Sequence, residues 1–293
     1  MNNTLVIFHR ADLDGLCCEA IARKALGDRS DYLGFDYGDK VPDLAPYSTV
    51  YLLDISLPIE VMREHAAKLI VIDHHKTLIS AVEGIAFKGS YLIDGVAACR
   101  LAWQCLINGD TGWTKADYVD RKVTEPYAVE LLGEYDIWDK RDPSTDLFQL
   151  AMQAEKSPNW DLLLVIAPDH VVENRAYIVD LVERGRAIQS YTEVTNAQVS
   201  RERGFDVKWE GLLFRALNTA RSNSLTFTAA LRPEHDGCLS YFWNGRGWRF
   251  SLYHAPGKEH HNLSTISVKH GGGGHPGASG FELKRLPAEF GGV

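Results

Sequence analysis

The chain has 293 residues, 45% of them hydrophobic and 24% charged, which suits a soluble protein with room for more than one core. No apolar run approaches the ~20 residues needed to cross a bilayer. The apolar stretch Leu5–Phe8 has no basic segment ahead of it and is too short for a secretory signal, so a cytoplasmic protein without a membrane partner is expected. The formal net charge is −8, yet residues 204–293 hold 10 Lys and Arg against 7 Asp and Glu, leaving 21 against 32 for the part before them. That balance argues against non-specific binding of long nucleic acid, which depends on neutralising phosphates. It suits a cation-binding first part and a last part that holds a small anion.

In chain order, "TLVIF" (4–8) reads as a buried strand, and residues 14–26 follow with helical spacing that Gly27 stops. "YLGFDY" (32–37), "TVYLLDI" (49–55) and "KLIVID" (68–73) read as further strands, with a helix from Pro58 towards Ala67 and a weaker fifth strand at "GIAFK" (84–88). Apolar strands separated by helices indicate an α/β fold with a parallel sheet covered on both faces. Helices are expected at 95–108 and 123–138, and the charged helical stretch 170–203 reads as a connector closed by Gly204. Beyond it, "DVKWEG" and "LLFRALN" read as short strands, and two alternating runs flank Asn244-Gly245 at 238–254 as a hairpin. A strand, a helix and a glycine-rich loop then lead to "GASGFEL", giving a smaller α+β domain. The expected organisation is a catalytic domain over 1–165, a helical linker over 166–203 and a second domain over 204–293. The five cysteines, Cys17, Cys18, Cys99, Cys105 and Cys238, form no C-x-x-C pair and read as free, buried thiols.

The chemistry lies at the strand ends. The first strand ends in His9, followed by Asp12 and Asp14 in "HRADLDG". The third ends in Asp54, and the fourth in Asp73, His74 and His75. Carboxyl ends of parallel strands share one edge, where ligands bind. Carboxylates gathered there repel one another unless a cation sits among them. Carboxylate and imidazole without thiolate suit Mn²⁺, Fe²⁺, Zn²⁺ or Mg²⁺. This many groups exceeds what one ion needs, and two ions sharing a carboxylate suit phosphoester hydrolysis. Adjacent His74 and His75 point in different directions, so one can ligate while the other meets substrate, with Asp73 orienting a ring. "GEYDIWDKRD" (133–142) offers a further acid among Glu134, Asp136, Asp139 and Asp142. "KHGGGGHPGASGF" (269–281) reads as a backbone cradle for phosphate or carboxylate rather than a plain turn, and it is neither a P-loop nor a dinucleotide fingerprint.

These motifs resemble the DHH–DHHA1 phosphoesterases, which include oligoribonucleases (nanoRNases), pAp phosphatases, dinucleotide phosphodiesterases and RecJ-type exonucleases. "HRADLDG", Asp54 in "LLDIS", "DHH" at 73–75 and "YDIW" stand as the four motifs of the first domain, and "GGGGHPGASGF" as the signature of the second. The resemblance implies one Mn²⁺ held by His9, Asp12 and Asp54. It implies a second held by Asp14, Asp54, His74 and Asp136, with Mg²⁺ as the alternative ion. It also implies that His75 contacts the scissile phosphate, and that Gly272, Gly273, Gly274 and His275 hold a terminal phosphate or the next nucleotide. Many members read S-L-R-S before the glycine loop; "FSLYHAP" places Tyr253 at the arginine position, with Arg246, Arg249 or Lys258 to compensate or Tyr253 to stack on a base.

The expected activity is hydrolysis of short oligonucleotides, linear dinucleotides or pAp to mononucleotides. Asp54, Asp73 and His75 would be the catalytic residues, and the second domain would measure substrate length. The rivals are a single-strand DNA exonuclease, with Trp243, Trp248 and Tyr253 as stacking aromatics, and a non-catalytic nucleotide sensor. Whether the chain is a monomer or a homodimer is left open.

Overall fold

The computed structural model describes residues 3–166, 171–220 and 222–291, without the side chains of 171 and 172. The chain divides into two compact units, Met1–Ile188 and Gln189–Val293. The strands are β1 (Thr4–His9), β2 (Ser30–Phe35), β3 (Thr49–Leu53), β4 (Leu69–Asp73) and β5 (Gly89–Leu92), then β6 (Phe205–Trp209), β7 (Leu212–Asn218), β8 (Gly237–Trp243), β9 (Trp248–His254), β10 (Gly273–His275) and β11 (Ala278–Leu283). The α-helices are α1 (Leu13–Leu26), α2 (Ile59–Glu64), α3 (Lys76–Ala81), α4 (Ala98–Ala102), α5 (Lys115–Val119), α6 (Tyr127–Asp136), α7 (Thr145–Ala154), α8 (Trp160–Leu163), α9 (Val171–Glu202) and α10 (Leu263–Lys269). No helix among the described residues is long and apolar enough to cross a membrane.

In the first unit the strands run parallel in the order β2-β1-β3-β4-β5. Alternate residues of each strand face opposite sides, so β1 feeds two cores. Val6 and Phe8 pack with Leu53, Ile72, Ile21 and Leu131 under α1, α4 and α6, while Leu5 and Ile7 pack with Leu52, Val71 and Met62 under α2 and α3. A fully covered parallel sheet explains why these strands read as unbroken apolar runs.

Two elements fall elsewhere than the sequence suggests. The fifth strand is "GSYL" at 89–92 and not "GIAFK" at 84–88, where Ile85 and Phe87 pack on the second core from a turn and only Tyr91 takes a buried strand position. The helix expected from 123 begins at Tyr127, because Pro126 occupies the N-cap and supplies no backbone donor. The expected helix 95–108 is α4 running on into a π-helical turn over Trp103–Asn108, ended by Gly109 in the left-handed region.

The second unit is a mixed sheet ordered β10-β11-β9-β8-β7-β6, antiparallel except for the β7–β8 pair. Its core stacks Trp209, Phe250 and Phe281, with Tyr241 stacked on Phe250 and Phe290 edge-on to Trp209, Phe250 and Tyr241. The β8–β9 hairpin closes with the four residues 244–247 rather than with Asn244-Gly245 alone. Asn244 caps this loop, its side-chain oxygen accepting from the backbone N–H of Arg246 and of Gly247, both at 2.9 Å. The division between the units falls inside α9, the helix read from the sequence as a connector. All five cysteines are free, and all but Cys105 are buried.

Candidate metal centre

Four of the five parallel strands deliver acids or histidines to one edge. His9 ends β1, Asp54 follows β3, Asp73 ends β4 with His74 and His75 next, and Asp36 follows β2. Asp12 and Asp14 come from the turn into α1. Asp12 is the N-cap, its Oδ1 accepting from the Gly15 N–H at 2.9 Å, so one carboxylate both starts the helix and faces the edge. Gly15 is needed there, because a Cβ would sit 2.0 Å from the His9 carbonyl oxygen. Asp14 is buried and fixed by the opening of α4, accepting from Ala98 N–H at 2.9 Å and Cys99 N–H at 2.7 Å.

The side chains converge around Asp54, which is 1% exposed. His9 Nδ1 lies 2.7 Å from Asp12 Oδ2 and 3.5 Å from Asp54 Oδ2. His74 Nε2 lies 3.1 Å from Asp136 Oδ2, 3.4 Å from Asp54 Oδ1 and 3.7 Å from Asp14 Oδ2. Two triads with ligand-atom spacing result, His9–Asp12–Asp54 and Asp14–His74–Asp136, with a third over Asp54, His74 and His75. Asp54 itself has φ 58°, the left-handed region that a non-glycine residue adopts only when its surroundings hold it there. Its N–H donates to Ile72 O at 3.0 Å, which anchors the turn.

Despite these close approaches, His9 Nδ1, Asp54 Oδ1, His74 Nε2 and Asp136 Oδ2 are buried and none of them makes a contact with the geometry of a hydrogen bond. Buried polar atoms are rarely left so, and four of them facing one another are what a bound cation would satisfy. The residues therefore fit a divalent metal, and carboxylates and imidazoles without thiolate suit Mn²⁺, Fe²⁺, Zn²⁺ or Mg²⁺. Proton affinities respond to the same crowding. Burial, with the Asp54 charge beside it, pushes Asp14 up to about 7. Burial, with the Asp14 charge, pushes Asp136 up to about 7. Burial also raises Asp54, against the pull of His74 and His9. The Asp12 and Asp54 carboxylates carry His9 up to about 10. For His74, burial acts downward, but Asp54, Asp14 and Asp136 prevail and carry it up to about 10.

His75 differs from His74. Its side chain is 42% exposed, and its Nδ1 is held 2.7 Å from Asp73 Oδ1, an oxygen that also accepts from the His75 N–H at 2.8 Å. Asp73 is wholly buried, so it fixes the ring and leaves Nε2 facing outward. The Asp73 carboxylate raises the His75 imidazole above its ordinary range.

Of the four acids in 133–142, only Asp136 reaches the cluster. Glu134 accepts from Arg121, from the Asp142 N–H and from Thr145; Asp139 pairs with Arg141; Asp142 accepts from Tyr127 and the Ser144 N–H. Sequence reasoning missed Asp36, whose Oδ1 lies 3.5 Å from His9 Nε2, and Tyr37, whose ring meets the His9 ring edge-on at 5.9 Å. Asp36 ends β2 as Asp54 ends β3, so the same strand-end signal was there to read.

In the second unit, Arg249, Tyr253, Gly273 and Gly274 line one open groove of about 660 Å³; Gly272 and His275 are not among its lining residues. β10 forms the edge of the sheet, pairing only with β11. Gly272 and Gly274 are required by packing, since a Cβ would meet Gly280 O at 2.1 Å or Ala278 O at 2.7 Å, whereas a Cβ at Gly273 would meet nothing within 4 Å. The Tyr253 hydroxyl donates to Ser222 O at 3.0 Å.

No protein-family profile matches the sequence, and no curated protein does. Solved structures do match. An exopolyphosphatase-related protein from Bacteroides fragilis aligns at TM-score 0.51 and 12% identity over 98% of this chain and 88% of that one. The DHH domain of a member of the S1p family of ribosomal proteins aligns at TM-score 0.50 and 13% identity over 97% and 83%. A pGpG-specific phosphodiesterase from Vibrio cholerae aligns at TM-score 0.47 and 16% identity over 96% and 93%. The chain has the DHH-domain fold.

Proposed function

We propose that this chain is a DHH phosphoesterase that works with two divalent cations and hydrolyses short oligonucleotides, linear dinucleotides or pAp to mononucleotides. The observation that carries the reading is Asp54, buried between two ligand triads with an unpartnered oxygen. His9, Asp12 and Asp54 would hold one ion, and Asp14, Asp54, His74 and Asp136 the other, with Mn²⁺ the expected metal. Such a pair polarises phosphoryl oxygens and makes bound water acidic enough to supply hydroxide near neutral pH. The protein's own part is to fix the ligands and present a proton. Asp14 is locked by two backbone donors, and Asp73 keeps His75 aimed outward, where its Nε2 can donate to a phosphate oxygen or a departing alkoxide.

The glycine edge of the second unit would hold the substrate's other phosphate or nucleotide, with Arg249 and Tyr253 in the same groove. Outer N–H groups of an edge strand are unpaired and suit an anion. Gly273→Ala is therefore expected to leave the melting temperature within a degree or so and raise KM about tenfold at near-constant kcat, the effect of ~1.4 kcal/mol of lost binding. Gly272→Ala, which drives a methyl into Gly280 O, is expected to destabilise the second unit by a few kcal/mol. An unchanged KM for Gly273→Ala would remove the glycine edge from the substrate site.

The substrate class is tested by product analysis with Mn²⁺ and a panel of pAp, pGpG, RNAs two to seven nucleotides long and a 20-nucleotide single-stranded DNA. Mononucleotide release from the shortest substrates is expected. Equal or preferential degradation of the 20-mer would replace the substrate class with an exonuclease. No hydrolysis of any member would leave a binding protein.

A further inference from the structure

A second feature of the first unit adjoins the cluster without belonging to it. A cavity of about 470 Å³ opens beside Asp12, walled by α1, α7 and the segment leading into α8. That is within the ~300–1,000 Å³ typical of small-molecule sites. Asp12 is common to the cavity wall and to the first ligand triad, so one molecule could occupy both. Met152 and Trp160 give the cavity an apolar and aromatic wall. Besides Asp12, the two acids in its lining are already paired and would not repel a nucleotide, Glu19 with Arg23 at 2.7 Å and Glu155 with Arg184 at 2.8 Å. Gln149 also lines it, is only 6% exposed, and has a side-chain oxygen without a hydrogen-bond partner. A buried amide oxygen left unpaired beside an aromatic-walled cavity points to a flat ligand that brings its own N–H.

We propose that this cavity is a nucleobase subsite, where a base carrying an exocyclic amine lies against Trp160 and Met152 and donates that amine to Gln149, while the nucleotide's phosphate reaches the carboxylate–imidazole cluster past Asp12. The proposal rests on reading the cluster as a phosphoester-hydrolysing centre and adds what selects the substrate there. Adenine, guanine and cytosine carry such an amine; uracil offers only its ring N3–H, flanked by two carbonyl oxygens that the Gln149 oxygen would repel.

Calorimetric titration of the Mn²⁺-loaded protein with 5′-AMP, 5′-UMP and ribose 5-phosphate tests it without needing turnover. AMP is expected to bind about tenfold or more tightly than ribose 5-phosphate, the scale of one stacked base. UMP is expected to fall about fivefold below AMP, the scale of one neutral hydrogen bond. Gln149→Leu, with Gln149→Met as a second variant, should bring AMP to the UMP level, and Trp160→Leu should bring both nucleotides towards ribose 5-phosphate. Equal affinity of the wild type for AMP and ribose 5-phosphate, or ratios unmoved by both substitutions, would overturn the subsite. Absence of turnover across the substrate panel would instead strike the enzyme reading, while loss of base discrimination with turnover intact would strike the subsite alone.

Discussion

Asp54→Asn is expected to abolish phosphodiester hydrolysis and, in the same protein, to raise the melting temperature measured without metal. Asparagine keeps the shape of the side chain and tolerates the left-handed φ of 58° that residue 54 adopts, so the turn after β3 should persist. What is lost is the carboxylate that belongs to the His9–Asp12–Asp54 triad and lies, through Oδ1, 3.4 Å from His74 Nε2 of the other. Turnover should fall at least about a thousandfold, equivalent to ~4 kcal/mol of transition-state charge stabilisation. Calorimetry should show Mn²⁺ stoichiometry drop from two to one or none. The gain in stability has a separate cause. Asp54 lies among Asp12, Asp14 and Asp136, and burial holds its proton affinity above the ordinary carboxylate range, so its charge is a cost in the folded, metal-free state. Removing that charge relieves the cost, at about 2–4 °C per kcal/mol for a unit of this size. Near-native activity, or two Mn²⁺ ions still bound, would show that Asp54 does not bridge.

Most of this site was legible in the sequence because it is built from strand ends. Unbroken apolar runs located β1, β3 and β4, and the rule that parallel strands share a carboxyl edge then placed His9, Asp12, Asp14, Asp54, Asp73, His74 and His75 together. The helices resisted the same treatment. Glu134 and Asp136 sit two residues apart on α6, so they point to different sides, and only tertiary contact shows that Glu134 bonds Arg121 and Thr145 while Asp136 faces His74. Residues 155–160 carry no periodic signal, so the cavity lined by Gln149 and Trp160 was invisible. At 84–88, apolar composition suggested a strand where Ile85 and Phe87 pack from a turn, since burial and ladder pairing leave similar marks in a short segment. The glycine run reads as a ligand cradle throughout, yet Gly272 and Gly274 are needed by contact with β11 and Gly271 by its φ of 79°, so that of the four only Gly273 has neither a packing nor a backbone reason.

Stabilisation by metal is expected to grow steeply with pH. Asp14 and Asp136 are pushed up to about 7 in the folded, metal-free protein, against about 3.9 for an unfolded aspartate. Their contribution to stability is full below pH ~3.9 and is lost as pH rises towards about 7. His9 and His74 are carried up to about 10, against about 6.5 unfolded. Their contribution is full below pH ~6.5 and is lost as pH rises towards about 10. Both pairs act in the same direction, so the metal-free cluster favours the protonated fold and weakens as pH climbs. A cation needs those protons gone and competes with them. At pH 5.5, saturating Mn²⁺ should raise the melting temperature little. At pH 8, two ions each at about a hundredfold above Kd contribute ~2.7 kcal/mol apiece, or roughly 10–20 °C together. Reading the Mn²⁺-induced increment at each pH, rather than the melting temperature itself, cancels groups elsewhere in the chain. Asp54→Asn should flatten the pH dependence of that increment. An increment of equal size at pH 5.5 and pH 8 would mean that Mn²⁺ binds without displacing these protons, and therefore not at the His9, Asp14, His74 and Asp136 cluster.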